Sequence, residues 1–190
     1  GWSETDRHEA IVTRLAGAGK HLFGEKRLGI AAADAYRMAS AIERAGVLFQ
    51  TGYFRRGDAT LRKIKQWIDD GSLGTITRVR GSNCHTGSLG GWFDERPDKP
   101  WESWRWMADM KQSGVGAFGD LGTHMLDILM WFLGPVKSVT ASLDPVTQRY
   151  AGCDETGEAL FRFERGTIAT LAAGWVDHAD PVALLVSGTK

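Results

Sequence analysis

Apolar residues recur at helical spacing along four stretches of the chain. Over residues 5–18, Ile11 and Leu15 stand four apart, Thr5 or Asp6 offers an N-cap, and Gly17 and Gly19 end the run. Over 31–45, Ala35, Met38, Ile42 and Ala45 share one side, and Gly46 terminates the helix. Over 58–70, Leu61, Ile64 and Ile68 recur, closed by Gly71-Ser72-Leu73-Gly74. Over 119–133, Leu121, Met125, Ile128 and Phe132 form one row and Leu126, Leu129 and Leu133 another, so most of that helix is expected to be buried. Strands are predicted where short apolar or alternating runs stand between turn residues: 21–23, 47–50, 75–82, 136–143, 157–163, 167–173 and 183–187. Glu164-Arg165-Gly166 supplies a hairpin turn between two of them.

A strand, a helix and a second strand between residues 21 and 50 make a βαβ unit, whose strands run parallel. Both strand exits, Glu25-Lys26-Arg27 and Thr51-Gly52-Tyr53-Phe54-Arg55, then open on the carboxyl edge of the sheet, where open α/β sheets bind ligands. The rest of the chain reads as a helix against a mainly antiparallel sheet. Between them, residues 83–113 form a long connection carrying Trp92, Trp101, Trp104 and Trp106. A loop of that length is usually functional.

Composition narrows the class. Among 190 residues, 23 Lys and Arg balance 23 Asp and Glu, without the basic excess of a nucleic-acid binder. Apolar runs fall short of the roughly 18–20 residues of a membrane span. Cys84 and Cys153 form no disulfide framework and no zinc spacing, so a reduced, cytoplasmic setting is expected, with no metal. The chain starts at Gly1 without a Met and stops just after a strand-like run, as a fragment would.

Several motifs bear chemistry. Gly17-Ala18-Gly19-Lys20 fails as a phosphate loop, because Arg14 and His21 stand where Gly and Ser or Thr are required. Gly114-Val115-Gly116-Ala117-Phe118-Gly119 is a literal GxGxxG before a helix, yet no strand precedes it and Asp120 would compete with a phosphate. Its glycines are read instead as letting the backbone approach something bound nearby. Asp120 and His124 are four apart on one helix face, continued by Asp127 and Trp131. A carboxylate beside an imidazole suits a proton shuttle; a capped helix start with a satisfied histidine is the plain alternative. Lys26 is either a ligand-edge cation or a solvated charge. Arg55 and Arg56 face the same choice. The tryptophans either stack on a sugar ring or fill a core. Cys84-His85 and Cys153-Asp154 read as structural.

Several segments together resemble one known family. Residues 18–27 resemble the "AGKHVxxEKP" segment of the Gfo/Idh/MocA oxidoreductases, named for glucose-fructose oxidoreductase and inositol dehydrogenase. Residues 45–56 are similar to its "AGVxxQVGFxRR" strand, and Gly71-Ser72-Leu73-Gly74-Thr75-Ile76 to its "GxLGxI" turn. Trp104-Arg105, the glycines at 114–116 and the run from Asp120 to Gly134 are similar to "WR…GGG…DxGxHxxDxxxWxxG". The matches run in order over nearly the whole chain.

The resemblance implies an α/β protein: a remnant of a Rossmann parallel sheet over 1–52, then an α+β substrate domain over 53–190 with a mainly antiparallel open sheet, truncated at its C-terminus. It implies an oxidoreductase moving a hydride between a sugar, cyclitol or related polyol hydroxyl and NAD or NADP. An NAD-dependent glycosidase on the same scaffold and a non-catalytic sugar-binding relative are the alternatives. Lys26, Asp120 and His124 match the family's catalytic positions; Glu25 and Lys26 are the cofactor-binding candidates. Tyr53, Arg55, Trp104 and Arg105 are the substrate-binding candidates. A homo-oligomer through the open sheet is expected. Two departures stand out. The family's first βαβ units have no counterpart here, so this piece alone should bind dinucleotide weakly. Arg27 also replaces a proline whose preceding bond is often cis, and a trans bond before arginine is the expectation.

Overall fold

A computed structural model describes residues 3–98, 104–179 and 182–190. The chain forms two compact units. The first comprises Gly1–Tyr53, Phe93–Gly116 and Tyr150–Cys153; the second comprises Phe54–Trp92, Ala117–Arg149 and Asp154–Lys190.

In the first unit, helix α1 (His8–Gly17) leads to strand β1 (Leu22–Gly24), helix α2 (Ala32–Ala45) and strand β2 (Phe49–Thr51). β1 and β2 are parallel, with Leu22 opposite Phe49 and Gly24 opposite Thr51, as the βαβ pattern requires. Met38 and Ala41 of α2 are buried, as are Val12 and Ala16 of α1. Ala45, expected on the same apolar side, is exposed in the last turn. Arg37 of α2 clasps Glu9 of α1 at 2.5 and 2.7 Å. Gly46, at φ 62°, ends α2 in the left-handed conformation. The start of α1 differs from expectation. Thr5–Arg7 form a 3₁₀ turn with no side-chain cap, and Thr5 is buried instead of capping.

The two outlying segments join this unit through specific contacts. Phe93 is buried edge-on to Tyr150, whose hydroxyl donates to Asp94 at 3.0 Å. Cys153 Sγ donates to the Ala108 carbonyl at 3.1 Å. A 3₁₀ turn over Arg105–Ala108 and helix α4 (Met110–Ser113) give the Trp-rich connection its local structure. Trp101 lies outside the described residues.

The second unit contains helix α3 (Ala59–Asp69), strand β3 (Ile76–Cys84), helix α5 (Ala117–Leu133) and strands β4 (Val136–Asp144), β5 (Thr156–Phe163), β6 (Ile168–Gly174) and β7 (Val182–Gly188). The strand order is β4-β5-β6-β3-β7. All pairs are antiparallel except β3 with β6. The later strands are thus not contiguous: β3 sits between β6 and β7. The β5–β6 hairpin closes at Gly166, φ 89°, as its turn sequence predicted. Period-2 alternation puts Ala159, Phe161 and Phe163 of β5 and Ala169, Leu171 and Ala173 of β6 on the face that α5 covers. Met125, Ile128, Leu129, Phe132 and Leu133 of α5 complete the core, and Leu61, Ile64 and Ile68 of α3 pack beside it. Gly81 of β3 admits Met125; a Cβ there would lie 2.5 Å from the methionine Cγ. The opposite sheet face carries Leu160 and Leu185, both about half exposed. The fold is mixed α/β with a mainly antiparallel sheet. Among the described residues no helix is long and apolar enough to cross a membrane.

Candidate active site

In the second unit the chemistry gathers at the first two turns of α5. The helix starts at Ala117, two residues earlier than its apolar period predicts. The reason is Asp154, whose carbonyl accepts from Ala117 N at 2.9 Å and whose carboxylate accepts from Phe118 N at 2.7 Å. Asp154 therefore serves, through its carbonyl and its carboxylate, two N–H groups that a phosphate would use at this helix end. The GxGxxG is not a phosphate cradle. Gly114, at φ 77°, caps α4 instead. Gly114 belongs to the first unit, where a Cβ on it would lie 2.9 Å from Ile30 Cα, so its close approach is to that unit's own backbone.

Asp120 is 3% exposed, and its Oδ2 accepts from the indole Nε1 of Trp175 at 3.3 Å. Trp175 is fully buried at the end of β6 and is fixed through both backbone groups: its N donates to Glu155 O at 2.7 Å and its O accepts from Ser88 N at 2.9 Å. Below it the Glu155 carboxylate, itself fully buried, accepts from the Ser88 hydroxyl, from Thr147 N and Oγ1 at 2.5 and 2.6 Å, and from Gln148 N at 3.1 Å. Burial works to raise the Glu155 pKa, but these donors outweigh it and hold the carboxyl below the usual carboxylate range.

His124 follows Asp120 by one turn. It is half-buried, with Nδ1 closed off from solvent and the ring of Phe54 edge-on at 5.5 Å. The turn Phe54–Gly57 is strapped along α5. Arg56 makes two bonds to Asp127, at 2.6 and 2.8 Å, and lies over Trp131 at 5.8 Å. Arg55 donates to Asn83 Oδ1 at 3.2 Å, and Asn83 Nδ2 donates to the Leu121 carbonyl at 2.8 Å. Beside this strap lies a cleft of about 490 Å³, lined by Phe54, Arg55, Asp58, Leu61, Met125 and Ile128. Asp120, His124 and Arg55 are thus brought to one end of this unit. Sequence reasoning missed Trp175, Asn83 and Asp154. Asn83 left a signal, since it follows Val79 and Gly81 on the inward phase of β3.

In the first unit, Glu25 and Lys26 leave β1 at its carboxyl end. Lys26 N donates to Glu25 Oε2 at 3.2 Å. Gly52, leaving β2, makes room for that carboxylate: a Cβ there would be 3.0 Å from either oxygen. Tyr53 follows directly, its N donating to Thr51 O at 2.9 Å. The Lys26–Arg27 peptide is cis, contrary to the expectation for arginine. Trp104 is 45% exposed, and Arg105 pairs with Glu95 at 3.1 Å on the surface. In the second unit the rings of Trp92 and His85 lie 4.7 Å apart, tilted by 31°.

The family model of the GFO/IDH/MocA C-terminal domain matches residues 61–190, which include Asp120, His124 and Trp175. The chain belongs to this family. Myo-inositol 2-dehydrogenase of Thermotoga maritima is 38% identical over 173 residues, covering 89% of this chain and 47% of that protein. Levoglucosan dehydrogenase of Pseudarthrobacter phenanthrenivorans is 29% identical over 136 residues, covering 72% and 33%. The WlbA dehydrogenase from Bordetella pertussis, solved in complex with NADH and UDP-GlcNAcA, has a TM-score of 0.83 at 26% identity, over 99% of this chain and 52% of that one. The chain spans between a third and about half of the length of these Gfo/Idh/MocA relatives.

Proposed function

We propose that the protein containing this chain is an NAD(P)-dependent oxidoreductase acting on a hydroxyl of a sugar, cyclitol or related polyol. The observation that carries the reading is the α5 pair: a carboxylate and an imidazole on successive turns, the carboxylate gripped by a buried indole. Residues 1–52 are read as the last part of a dinucleotide-binding domain, and the open sheet face bearing Leu160 and Leu185 as the surface of a homo-oligomer. The buried thiols Cys84 and Cys153 suit a reducing cytoplasm.

The residues fit a nicotinamide at its reactive end only. Lys26 and Glu25 stand at the carboxyl ends of parallel strands, where such rings are presented, while Asp154 closes the helix end that would take a pyrophosphate. Held beside Glu25 and Lys26, a nicotinamide would supply the acceptor for the hydride. His124 takes the hydroxyl proton at Nε2, because Nδ1 is buried. Asp120 stabilises the resulting imidazolium and is held by Trp175. Lys26 offsets the negative charge that develops on the substrate oxygen. Arg55 and Tyr53 orient the remaining hydroxyls, and Trp104 and Arg105 contribute from the 105–108 turn.

The test is turnover by the full-length protein. Polyols and aldoses with NAD⁺ or NADP⁺ should give absorbance at 340 nm, and His124→Asn should cut kcat by about 10²–10⁴. Cofactor affinity should be unchanged in that variant. Aryl glycoside cleavage without net reduced cofactor would replace the reading by the glycosidase. Cofactor binding with no turnover on any substrate would replace it by the binding relative.

A further inference from the structure

Arg27 stands where the family pattern has proline, and proline fixes its own φ through its ring. An arginine has no such restraint. Here it is buried, 9% exposed, and tied down at two atoms within the first unit. Its Nη2 donates to the Ser113 carbonyl, at the C-terminal end of α4, at 3.1 Å. Its carbonyl lies 2.7 Å from Nδ1 of His8 in α1; a carbonyl can only accept, so the imidazole donates. Three residues on, Ile30 packs against the bare Cα of Gly114, directly after Ser113. The segment following Lys26 is therefore held from α1 on one side and from the α4 end on the other. Burying a guanidinium is costly unless it is hydrogen-bonded, so the bond to Ser113 favours one placement of this loop.

We propose that Arg27 is a positioning residue for Lys26. Its side chain replaces the ring restraint of the family's proline by anchoring the Lys26 loop to the Ser113 carbonyl. The proposal rests on the role given to Lys26 above. A lysine head on a flexible stem is accurate only if its backbone is fixed, and misplacement by about 1 Å costs on the order of 10² in rate.

The experiment is a mutant cycle in the full-length enzyme with Lys26→Met, Arg27→Met and Lys26→Met/Arg27→Met, accompanied by Arg27→Lys and Arg27→Ala. Arg27→Met should lower kcat by about 10–100-fold while KM for the polyol changes little. Arg27→Lys, which keeps a charged donor, should recover part of the loss. On the Lys26→Met background the Arg27→Met change should cost nothing further, because the residue acts through Lys26. Millimolar guanidinium added to Arg27→Ala should restore rate saturably, which a purely structural role would not show. A dead Lys26→Met with wild-type-like Arg27→Met overturns the proposal alone, as does an equal Arg27 effect on both backgrounds. Wild-type-like turnover in Lys26→Met overturns the catalytic reading of Lys26 and this proposal with it. If Arg27→Met does not fold, Arg27→Lys and guanidinium rescue decide: loss in the first without recovery in the second counts against it.

Discussion

Trp175→Phe separates the packing of a buried aromatic from the indole bond to Asp120. Phenylalanine keeps most of the ring volume and removes the N–H that reaches Asp120 Oδ2 at 3.3 Å. A hydrogen bond to a charged group contributes roughly 1.5–3 kcal/mol. At 3.3 Å this one is longer than the usual 2.9–3.0 Å or so, which places it near the lower bound, about 1.5 kcal/mol. Asp120 is 3% exposed, so solvent does not easily replace the lost donor. That amount is about tenfold in kcat/KM if the carboxylate's charge is used in the transition state. A small cavity adds a separate stability loss of about 1–3 kcal/mol, read by urea denaturation. The deciding measurement is kcat/KM for Trp175→Phe, Asp120→Asn and the double variant. The Trp175 effect should largely vanish on the Asp120→Asn background. Equal losses on both backgrounds would refute the assignment and leave Trp175 as core packing.

Other expectations follow from single contacts. Gly81→Ala forces a Cβ to 2.5 Å from Met125 Cγ and should destabilise the protein by about 1–3 kcal/mol, seen as a lower Tm. The Glu155 carboxyl is held below the ordinary carboxylate value, so its share of stability is present above that value and lost as pH falls through the depressed one. Wild type should lose urea resistance as pH falls below the ordinary carboxylate value of 4.5, and Glu155→Gln should start less stable and lose less on the same descent. Arg56→Ala breaks a pair whose arginine is about half exposed, so it should cost under about 1 kcal/mol and less still in high salt.

Much of this fold was legible because one buried face imposes its period. The βαβ unit announced itself through two apolar runs and a glycine-capped helix, and β5 and β6 through strict alternation around Gly166. What periodicity cannot carry is which strand lies beside which. β3 reads as an ordinary strand at 76–84, and nothing local says that it runs parallel to β6 and separates it from β7. The candidate site divides the same way. Asp120 and His124 were legible because four residues of one helix make one face. The groups that hold this end of α5 come from elsewhere: Trp175, directly after β6, reaches Asp120, and Asn83 of β3 reaches the Leu121 carbonyl, and both relations exist only after the sheet has formed.

The Gly114–Gly119 motif shows why letters and chemistry part company. A GxGxxG binds phosphate when first-turn N–H groups of the following helix are unclaimed and the glycines admit the anion. Here Ala117 N and Phe118 N are claimed by Asp154, which stands far away in sequence, and Gly114 is spent on the approach to Ile30. Substituting Asp154 by Asn would remove the competing charge yet leave its backbone bond to Ala117 in place. It should loosen the start of α5 without creating a dinucleotide site. Protection of the Phe118 amide from hydrogen exchange should therefore fall, while affinity of this 190-residue chain for NADH should not rise. Micromolar binding gained by that one substitution would mean that the turn is a phosphate cradle after all, held shut by a carboxylate.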